Sequence, residues 1–529
     1  MQYFDFHTHP ILKQLFSESG GVTDMIGRNE VKVLQSQCTD IPNIIQSQIH
    51  PSQLAHYPDG VLMGVVLYSM ESYLAAEVIP LRQHLRNGSQ HKLSEPLLKK
   101  IVRNDLKAYT DFLVNRTLKA YLDNSDIFQV VTPESFAGGL PSNRIHIFFV
   151  VEGCHSFVDS VNRTGEGKVF PVQEIVDNLD KLLAREIPIL AVNLTHMQQS
   201  SLCNHAFGIQ LTNPKPFFPY GNGMQPDGYD VAQALFDRGI HPDLKHMSFK
   251  SRRDLMRAID GTGDATMHAP MPLLCTHAGF TGISFGEWPE YMALARAEGP
   301  VVRIEMAKTL SIDSMPSSIC TPTFNMTTIN LFDEEIAWIV QHGGMIGLSM
   351  DRRILGYVDP FDADVDGRLD GDFVVDTDFI SLPEWDDLGI DLEKYRDKVD
   401  DAQCLTVGRL RQNWEEQGTQ ERWYYDHIFL HLKHYLQTCL RAGIPLETSI
   451  KHITIGSDFD GLINPFITMP GVKDMERLKR YVRSDFKGYL SQLEDAAGWY
   501  RELDVDRFAE NLFFENGYRF VKAFMERRV

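Results

Sequence analysis

Two histidines stand one residue apart near the start of the chain, in the stretch MQYFDFHTHP. The alternation of Phe4 and Phe6 with Asp5 predicts a short strand that leads into His7 and His9. Because residues i and i+2 of an extended chain point the same way, both imidazoles can reach one point beyond the strand end. That arrangement suits a metal ion, although a His-x-His pair alone is more often a pair of hydrogen-bonded surface or turn residues.

Further apolar runs along the chain also end in titratable side chains. These residues are Glu152 after IHIFFVV, His196 after ILAVNLT, His277 after MPLLCT, the group Asp351, Arg352 and Arg353 after GMIGLSM, and Asp458 after ITIGS. His246, in HPDLKHMS, follows a weaker strand pattern, and VLMGVVLYS at 61–69 is another apolar run. Helix-like stretches such as VQEIVDNLDKLLARE and DEEIAWIVQHGG lie between the runs. This alternation is typical of parallel α/β folds, whose strands bury both faces.

The position of the titratable residues favours one architecture within that class. In a (β/α)8 barrel the C-terminal ends of all strands surround a single active site. We therefore predict an α/β fold of the (β/α)8 TIM barrel type, with one metal-dependent hydrolase domain over 1–529. Long insertions are expected near 75–140, 281–325 and 355–425.

Composition excludes several classes of function. A net charge of −20 argues against nucleic acid as a partner, because phosphate binding needs clustered Lys and Arg. No apolar run is long enough to span a membrane, and no leader-like segment precedes the first strand. The seven cysteines are scattered, odd in number and without a CxxC pair, which is typical of a reducing compartment. The expectation is a cytoplasmic protein without membrane or nucleic-acid partners.

Six of the residues at run ends form a candidate metal-ligand set: His7, His9, Glu152, His246, His277 and Asp458. Four imidazoles and two carboxylates are the ligands that a catalytic divalent ion needs, and zinc is the first choice for imidazole-rich sites. A carboxylate shared by two ions is typical of two-metal hydrolases. Each residue alone is more often a hydrogen-bonded core or loop residue, but six of them at successive run ends favour a metal site.

Six motifs resemble one known family. FDFHTHP, VVEGCHS, VNLTHM, DLKHMS, THAGF and IGSDFDG occur in the order found in membrane dipeptidase-like metallopeptidases, the renal dipeptidase family of the amidohydrolase superfamily. VEGCHS and IGSDFDG are the most specific of these matches. HLKHYLQTC at 431–439 and FAENLFFENGYRFVKAF at 508–524 resemble the late helices of that family. The resemblance extends from the first strand to the C-terminus, with long insertions between motifs.

The resemblance implies a role for each motif residue. It implies that His7 and His9 bind a first zinc ion, that Glu152 bridges two zinc ions, and that His246 and His277 bind the second. His196 would contact the substrate and stabilise the oxyanion, and Asp458 would handle the proton of the attacking water. The implied activity is hydrolysis of a dipeptide or another small substrate. Family members are often dimers, so a homodimer is a further expectation.

Two positions depart from the family pattern. His9 stands where the family has Asp, which keeps a metal ligand but makes the site less negative. Ile329 precedes Asn330 where the family has an Arg that grips the substrate carboxylate. Arg352 or Arg353 could replace that Arg, or both could pair with the acidic insert that follows them. Simple L,L-dipeptides are expected to be poor substrates unless one of these arginines binds the substrate carboxylate instead.

Other readings of the sequence remain open. N-acyl amino acids, cyclic amides and lactones suit the same chemistry as dipeptides. GISFG at 282–286 matches the G-x-S-x-G nucleophile elbow of serine hydrolases, with Ser284 as nucleophile, but no strand directly precedes it and we interpret it as a loop. The missing Arg also keeps open a non-catalytic metal-binding barrel. The acidic loop at 362–373 resembles a calcium loop but has Phe373 at its twelfth position, so a solvated loop is favoured.

Overall fold

Eight parallel strands form the centre of the molecule. They are β1 (Tyr3–Thr8), β2 (Val61–Leu67), β3 (Ile145–Val151), β4 (Ile189–Asn193), β5 (His241–Asp243), β6 (Leu274–Ala278), β7 (Met345–Leu348) and β8 (Ile453–Ile455). Each strand pairs in parallel with the next one in this order. The computed structural model describes residues 1–18, 21–32, 40–85, 92–141, 144–160, 162–164, 167–208, 214–307, 324–356, 375–395, 420–466, 468–492 and 498–528. The predicted α/β barrel is confirmed.

Backbone hydrogen bonds join the first strand to the segment after the last one. The His9 amide donates to the Phe459 carbonyl at 2.9 Å, and the Asp458 amide donates to the His7 carbonyl at 3.0 Å. The Ser457 amide donates to the Asp5 carboxylate at 2.9 Å. These bonds nearly close the barrel, and they also place two chain segments that carry candidate site residues side by side.

Helices connect the strands and cover the barrel. The α-helices span Leu12–Leu15, Asp40–Ile45, Pro51–Leu54, Ser72–Leu81, Glu95–Val102, Lys119–Asp123, Pro133–Ala137, Val172–Leu183, Pro226–Asp237, Phe249–Ile259, Asp333–Gln341, Leu382–Leu388, Gln420–Arg441, Leu446–Ser449, Met475–Ser484, Phe486–Ser491, Val505–Glu510 and Asn516–Glu526. Ala108–Leu118 and Asn511–Glu515 are π-helical. The two helices expected from VQEIVDNLDKLLARE and DEEIAWIVQHGG are confirmed, and the second ends before Gly343, whose φ of 74° suits a helix C-terminus. Among the described residues, no helix combines the length and the apolar character that crossing a bilayer requires.

The barrel strands bury both faces, as their continuous apolar runs predict. Phe4, Phe6 and Phe148 belong to one buried cluster, which Phe524 of the last helix joins. A second cluster contains Tyr3 and those side chains of β2 and β3 that point to the opposite face of the strands. It also includes the buried faces of the surrounding helices. The strands are therefore held from both sides, so their C-terminal ends are fixed points for side chains.

A second sheet, which the sequence did not predict, lies in two of the expected insertions. Met292–Glu298 pairs antiparallel with Val301–Ala307, which pairs antiparallel with Val375–Ser381. Trp288 and Trp385 are buried in its apolar cluster. The acidic loop at 362–373 lies outside the described residues. The extent of the domain, 1–529, stays a prediction.

Candidate active site

The carboxylate of Glu152, directly after β3, lies at the centre of the predicted residues. Five imidazoles approach it, with the closest nitrogen-to-oxygen distances at 3.1 Å for His246, 3.5 Å for His7, 3.6 Å for His9, 3.7 Å for His196 and 3.8 Å for His277. His9 is closest to Oε2, whereas the other four are closest to Oε1. Five strands thus contribute a titratable side chain to one point at the C-terminal end of the barrel.

The end of β1 and the segment after β8 form one side of this group. Oδ1 of Asp458 lies 3.3 Å from Nε2 of His9 and 4.0 Å from Nε2 of His7. A Cβ atom at Gly461 would lie 2.1 Å from Oδ1 of Asp458, so only glycine fits against this carboxylate. The motif IGSDFDG therefore contributes both the carboxylate of Asp458 and, at Gly461, the space that this carboxylate occupies.

The second acid of that motif has a different role. Oδ1 of Asp460 accepts hydrogen bonds from Nζ of Lys13 at 2.6 Å and from the Gln48 amide at 2.9 Å, while Oδ2 accepts from the Ile49 amide at 3.1 Å. These bonds anchor the loop after β8 to the segment after β1. Asp460 is thus a structural acid, and Asp458 is the acid that faces the imidazoles.

Two site residues adopt a left-handed backbone conformation that non-glycine residues rarely take. His246 has a φ of 69° and Asp458 a φ of 59°. Such conformations cost about 1 to 3 kcal/mol each and persist only where the surrounding structure holds them. Here they turn both side chains toward Glu152, which is typical of a functional site.

Thr276 sets the tautomers of two of the imidazoles. Its hydroxyl donates to the Asp243 carboxylate, and its Oγ1 lies 3.0 Å from Nδ1 of His7 and 3.2 Å from Nδ1 of His277. Because that hydroxyl donates its only hydrogen to Asp243, it accepts hydrogen bonds from both Nδ1–H groups. The Nε2 lone pairs of His7 and His277 therefore face the centre of the site.

Glu71 is a site residue that sequence reasoning missed. Its Oε1 lies 2.6 Å from Nδ1 of His196, and Tyr68 donates a hydrogen bond to Oε2. Glu71 follows the apolar run VLMGVVLYS by two residues, so the rule that found the other strand-end acids could have found it. The carboxylate orients the imidazole so that Nε2 of His196 points to Glu152.

The charges of these buried groups shift their titration. Burial alone would raise the pKa of Glu71, but the imidazoles of His196 and His155 outweigh it and lower that pKa to about 2. Burial alone would lower the pKa of His196, but the carboxylates of Glu71 and Glu152 raise it to about 9. Burial lowers the pKa of His246 to about 3, so this ring is neutral at pH 7, the form that binds metals.

Within the described residues, three groups of side chains are close enough to hold a metal ion. They are His7 with Glu152 and His277, His7 with His9 and Asp458, and Glu152 with His196 and His246. All six residues predicted as ligands belong to these groups. His196, expected at the substrate, belongs to one as well.

A cavity of about 90 Å³ opens onto this centre. Its walls include Ile329, Arg353 and Lys245, but not Arg352, which is 1% exposed. Nη2 and Nε of Arg353 bind the Asp351 carboxylate at 2.8 and 3.1 Å. Of the two arginines considered as carboxylate clamps, one therefore reaches the cavity and is already paired with an acid. That acid precedes it in the chain, whereas the acidic loop of the insert lies outside the described residues, so pairing of the arginines with the insert stays a prediction.

The segment that carries Ile329 is held in place by a buried arginine. Arg252 binds Glu335 through two hydrogen bonds of 2.6 and 2.9 Å and donates to the carbonyls of Thr328 and Asn330 at 2.9 and 3.0 Å. Ile329 thus has a fixed position on the cavity wall, where it contributes no charge.

Ser284 lies away from this cavity. It is in a turn after β6, and its hydroxyl donates to Glu287 at 2.7 Å. A nucleophile elbow needs a strand directly before the serine and a histidine beside its hydroxyl. The structure gives Ser284 neither of these among the described residues, which agrees with its interpretation as a loop residue.

No family model matches the sequence, and no curated protein matches it. Among solved structures, the chain is similar to the dipeptidase AC, a metallopeptidase of family M19, at 13% identity and a TM-score of 0.45, over 100% of this chain and 98% of that chain. A metallopeptidase from Rhodobacter sphaeroides, liganded with a phosphinate mimic of the dipeptide L-Ala-D-Ala, is similar at 13% identity and a TM-score of 0.48, over 100% and 99%. The probable dipeptidase PvdM from Pseudomonas aeruginosa is similar at 13% identity and a TM-score of 0.41, over 91% and 90%. The barrel fold of this chain rests on its own strand pairing, described above.

Proposed function

We propose that this protein is a zinc-dependent hydrolase that cleaves an amide or peptide bond in a small substrate. The observation that carries the proposal is the position of Glu152, whose carboxylate has five imidazole nitrogens within 3.8 Å. Burial lowers the pKa of His246 and of His277, so these two neutral rings present lone pairs to the buried Glu152 carboxylate, and such an arrangement is stable when cations lie between them.

The donor set fits two divalent ions. Nε2 of His7 is buried and has no hydrogen-bond partner within the described part of the chain, and Thr276 fixes this ring with the Nε2 lone pair inward. Nε2 of His246 and Nε2 of His277 lie 3.2 Å apart, so their lone pairs converge as well. We infer that His7 and His9 would hold one ion, that His246 and His277 would hold the other, and that Glu152 would contribute a ligand to both.

Zinc ions in such a site make water a nucleophile at neutral pH and polarise a carbonyl group. The other steps belong to this chain's own residues. Asp458, the pKa of which burial raises, accepts the proton of the water at Oδ1 and passes it to the leaving amine. His196, held by Glu71, donates from Nε2 to the substrate oxygen on which negative charge develops.

The cavity favours a small substrate with an apolar part. Its walls include the apolar residues Leu74, Met197, Ile354 and Leu462. A volume of about 90 Å³ is small beside the roughly 300 to 1,000 Å³ of typical drug-sized ligand pockets. The small cavity and its apolar walls favour a small substrate, such as a dipeptide or an N-acyl amino acid, over a long peptide.

Metal analysis together with a substrate panel tests the proposal. The full-length protein, purified without chelator and loaded with Zn²⁺, is expected to contain about two zinc ions per chain. It should hydrolyse members of a panel of dipeptides, N-acyl amino acids, cyclic amides and lactones, and chelation should abolish the activity in a way that added Zn²⁺ reverses.

Each other outcome would support a different function for this protein. Two bound zinc ions without turnover of any panel member would support a metal-binding barrel that is not an enzyme. Turnover that survives chelation, together with labelling by a fluorophosphonate, would support a serine hydrolase. Sedimentation of the same sample tests the expected homodimer, which stays a prediction.

A further inference from the structure

A second cavity, smaller than the one at the candidate metal centre, is lined almost entirely by apolar side chains. Its volume is about 30 Å³, and its walls include Phe16, Ile45, Met70, Val78, Leu81 and Leu85. Among the described residues that line it, Lys13 alone carries a charge, and its Nζ donates hydrogen bonds to the Asp460 carboxylate at 2.6 Å and to the Gln46 carbonyl at 2.7 Å. An apolar cavity of this kind stays dry and accepts apolar groups.

Two leucines line this second cavity as well as the first one. They are Leu12 and Leu462. The Leu12 amide donates to the His9 carbonyl at 3.0 Å, and Leu462 directly follows Gly461, the residue that makes room for the Asp458 carboxylate. The two cavities are therefore neighbours, and they meet on the side of the site where His9 and Asp458 lie.

The helix Ser72–Leu81 runs along both cavities. Leu74 lines the first cavity, and Val78, one turn further along the helix, lines the second. Because residues i and i+4 lie on the same face of a helix, this face gives the two cavities a common apolar wall. The apolar lining of the first cavity thus continues into the second.

Leu462 adopts a backbone conformation that leucine rarely takes. Its φ is 64°, in the left-handed region, and its carbonyl accepts a hydrogen bond from Nη2 of Arg353 at 3.2 Å. Such strained positions persist only where the surrounding structure holds them, and they cluster where proteins contact ligands. The strain at Leu462 therefore supports a role of this wall in binding and not only in packing.

Resting on the function proposed above, we propose that the second cavity binds the end of an aliphatic chain carried by the leaving amine. Its volume of about 30 Å³ is far below the roughly 300 to 1,000 Å³ of separate ligand pockets, so its occupant must reach it from the first cavity. In the proposed reaction Asp458 passes a proton to the leaving amine, which puts that amine on the side where the cavities meet. The substrate class is then N-acyl or N-aminoacyl amino acids with a long aliphatic side chain.

A series of substrates that differ in chain length tests this subsite. The series consists of the N-acetyl derivatives of glycine, alanine, norvaline and norleucine, as both enantiomers and as free acids and amides, assayed by release of acetate. Burial of one methylene group contributes about a fourfold gain, so kcat/KM of the preferred enantiomer should rise at least about tenfold from alanine to norleucine.

A filling variant and a matched control locate the subsite. Val78 is buried and lines the second cavity but not the first, so Val78→Phe should abolish the gain with chain length while the values for glycine and alanine stay within about twofold. Ile79→Phe makes a similar change at the next residue of the same helix. Because Ile79 is partly buried and lines neither cavity, this variant should keep the gain.

Two results would overturn the proposal. One is an equal kcat/KM along the series in the parent protein, and the other is an equal loss for every member in Val78→Phe. If Val78→Phe does not fold, Ile45→Ala decides, because it enlarges the second cavity and should extend the preference to the derivative of aminooctanoic acid. An unchanged preference in that variant would also overturn the proposal.

A binding measurement separates this inference from the proposed function. If the zinc-loaded protein hydrolyses no member of the series, the proposed function fails, and calorimetric titration with N-acetylnorleucine and N-acetylglycine still tests the second cavity. Tighter binding of the norleucine derivative that is lost in Val78→Phe and kept in Ile79→Phe supports the inference. Equal binding of the two compounds by the parent protein overturns it.

Discussion

Oε1 of Glu71 lies 2.6 Å from Nδ1 of His196, and both groups are buried. The carboxylate accepts a hydrogen bond from this ring nitrogen, which leaves Nε2 facing Glu152 at 3.7 Å. The opposite ring nitrogen of a catalytic or metal-binding histidine commonly has a partner of this kind, because the partner fixes the tautomer and the orientation of the ring. Glu71 is thus a positioning residue for His196.

The first prediction concerns this pair. Glu71→Gln keeps a hydrogen-bond acceptor but removes the charge, so we expect kcat to fall about 10- to 100-fold with little change in KM. The Glu71 carboxylate stabilises the protonated form of His196, the pKa of which is raised to about 9. Its loss lowers that pKa, so the alkaline limb of the pH–rate profile should move to lower pH.

Glu384→Gln is the matched control for Glu71→Gln. Glu384 is buried and accepts hydrogen bonds from Ser248 at 2.5 Å and from the Gly223 amide at 2.9 Å, but it does not line the cavity. This variant should keep the pH–rate profile of the parent protein. If both variants lose activity equally and neither profile moves, the assigned role of Glu71 is wrong.

A second prediction concerns the proposed bridge. Glu152→Gln removes the one negative charge that all five imidazoles share, so we expect fewer than two bound metal ions per chain. Activity should fall by more than the roughly 10- to 100-fold that loss of an outer partner of a ligand costs. Elemental analysis and turnover measured on the same sample provide the check. Full activity with two bound ions would contradict the bridging role.

A third prediction concerns His9, which stands where the resembled family has Asp. His9→Asp should still bind metal, because carboxylate and imidazole are both zinc ligands. His9→Ala should lose one of the two ions, since Nε2 of His9 lies 3.6 Å from Oε2 of Glu152 and 3.3 Å from Oδ1 of Asp458. Metal-to-protein ratios decide the outcome. If His9→Ala binds as much metal as the parent protein, His9 is not a metal ligand.

The barrel and the grouping of residues around Glu152 could be predicted from the sequence, because both predictions depend on short-range patterns. Apolar runs with a titratable residue at the end are local features, and the barrel then places their ends at one rim. Glu71 follows the same rule but lies two residues past the end of its run, in a segment without a matched motif.

Other features depend on long-range contacts that no local pattern shows. The antiparallel sheet joins Met292–Glu298 and Val301–Ala307 to Val375–Ser381, across more than sixty residues of chain.

The last prediction concerns Thr276, whose hydroxyl accepts hydrogen bonds from Nδ1 of both His7 and His277. Thr276→Val has nearly the same shape but no acceptor, so both rings lose the partner that keeps Nε2 directed inward. We expect zinc affinity to fall about 10- to 100-fold, measured by competition with a fluorescent chelator. Thr276→Ser keeps the oxygen and should bind zinc nearly as tightly as the parent protein.

Loss of the donor to the buried Asp243 carboxylate should also lower the stability of the Val variant by about 1 to 3 kcal/mol, so denaturation of the metal-free proteins is measured in parallel. Equal zinc affinity in the Val and Ser variants would show that Thr276 does not act through the imidazoles.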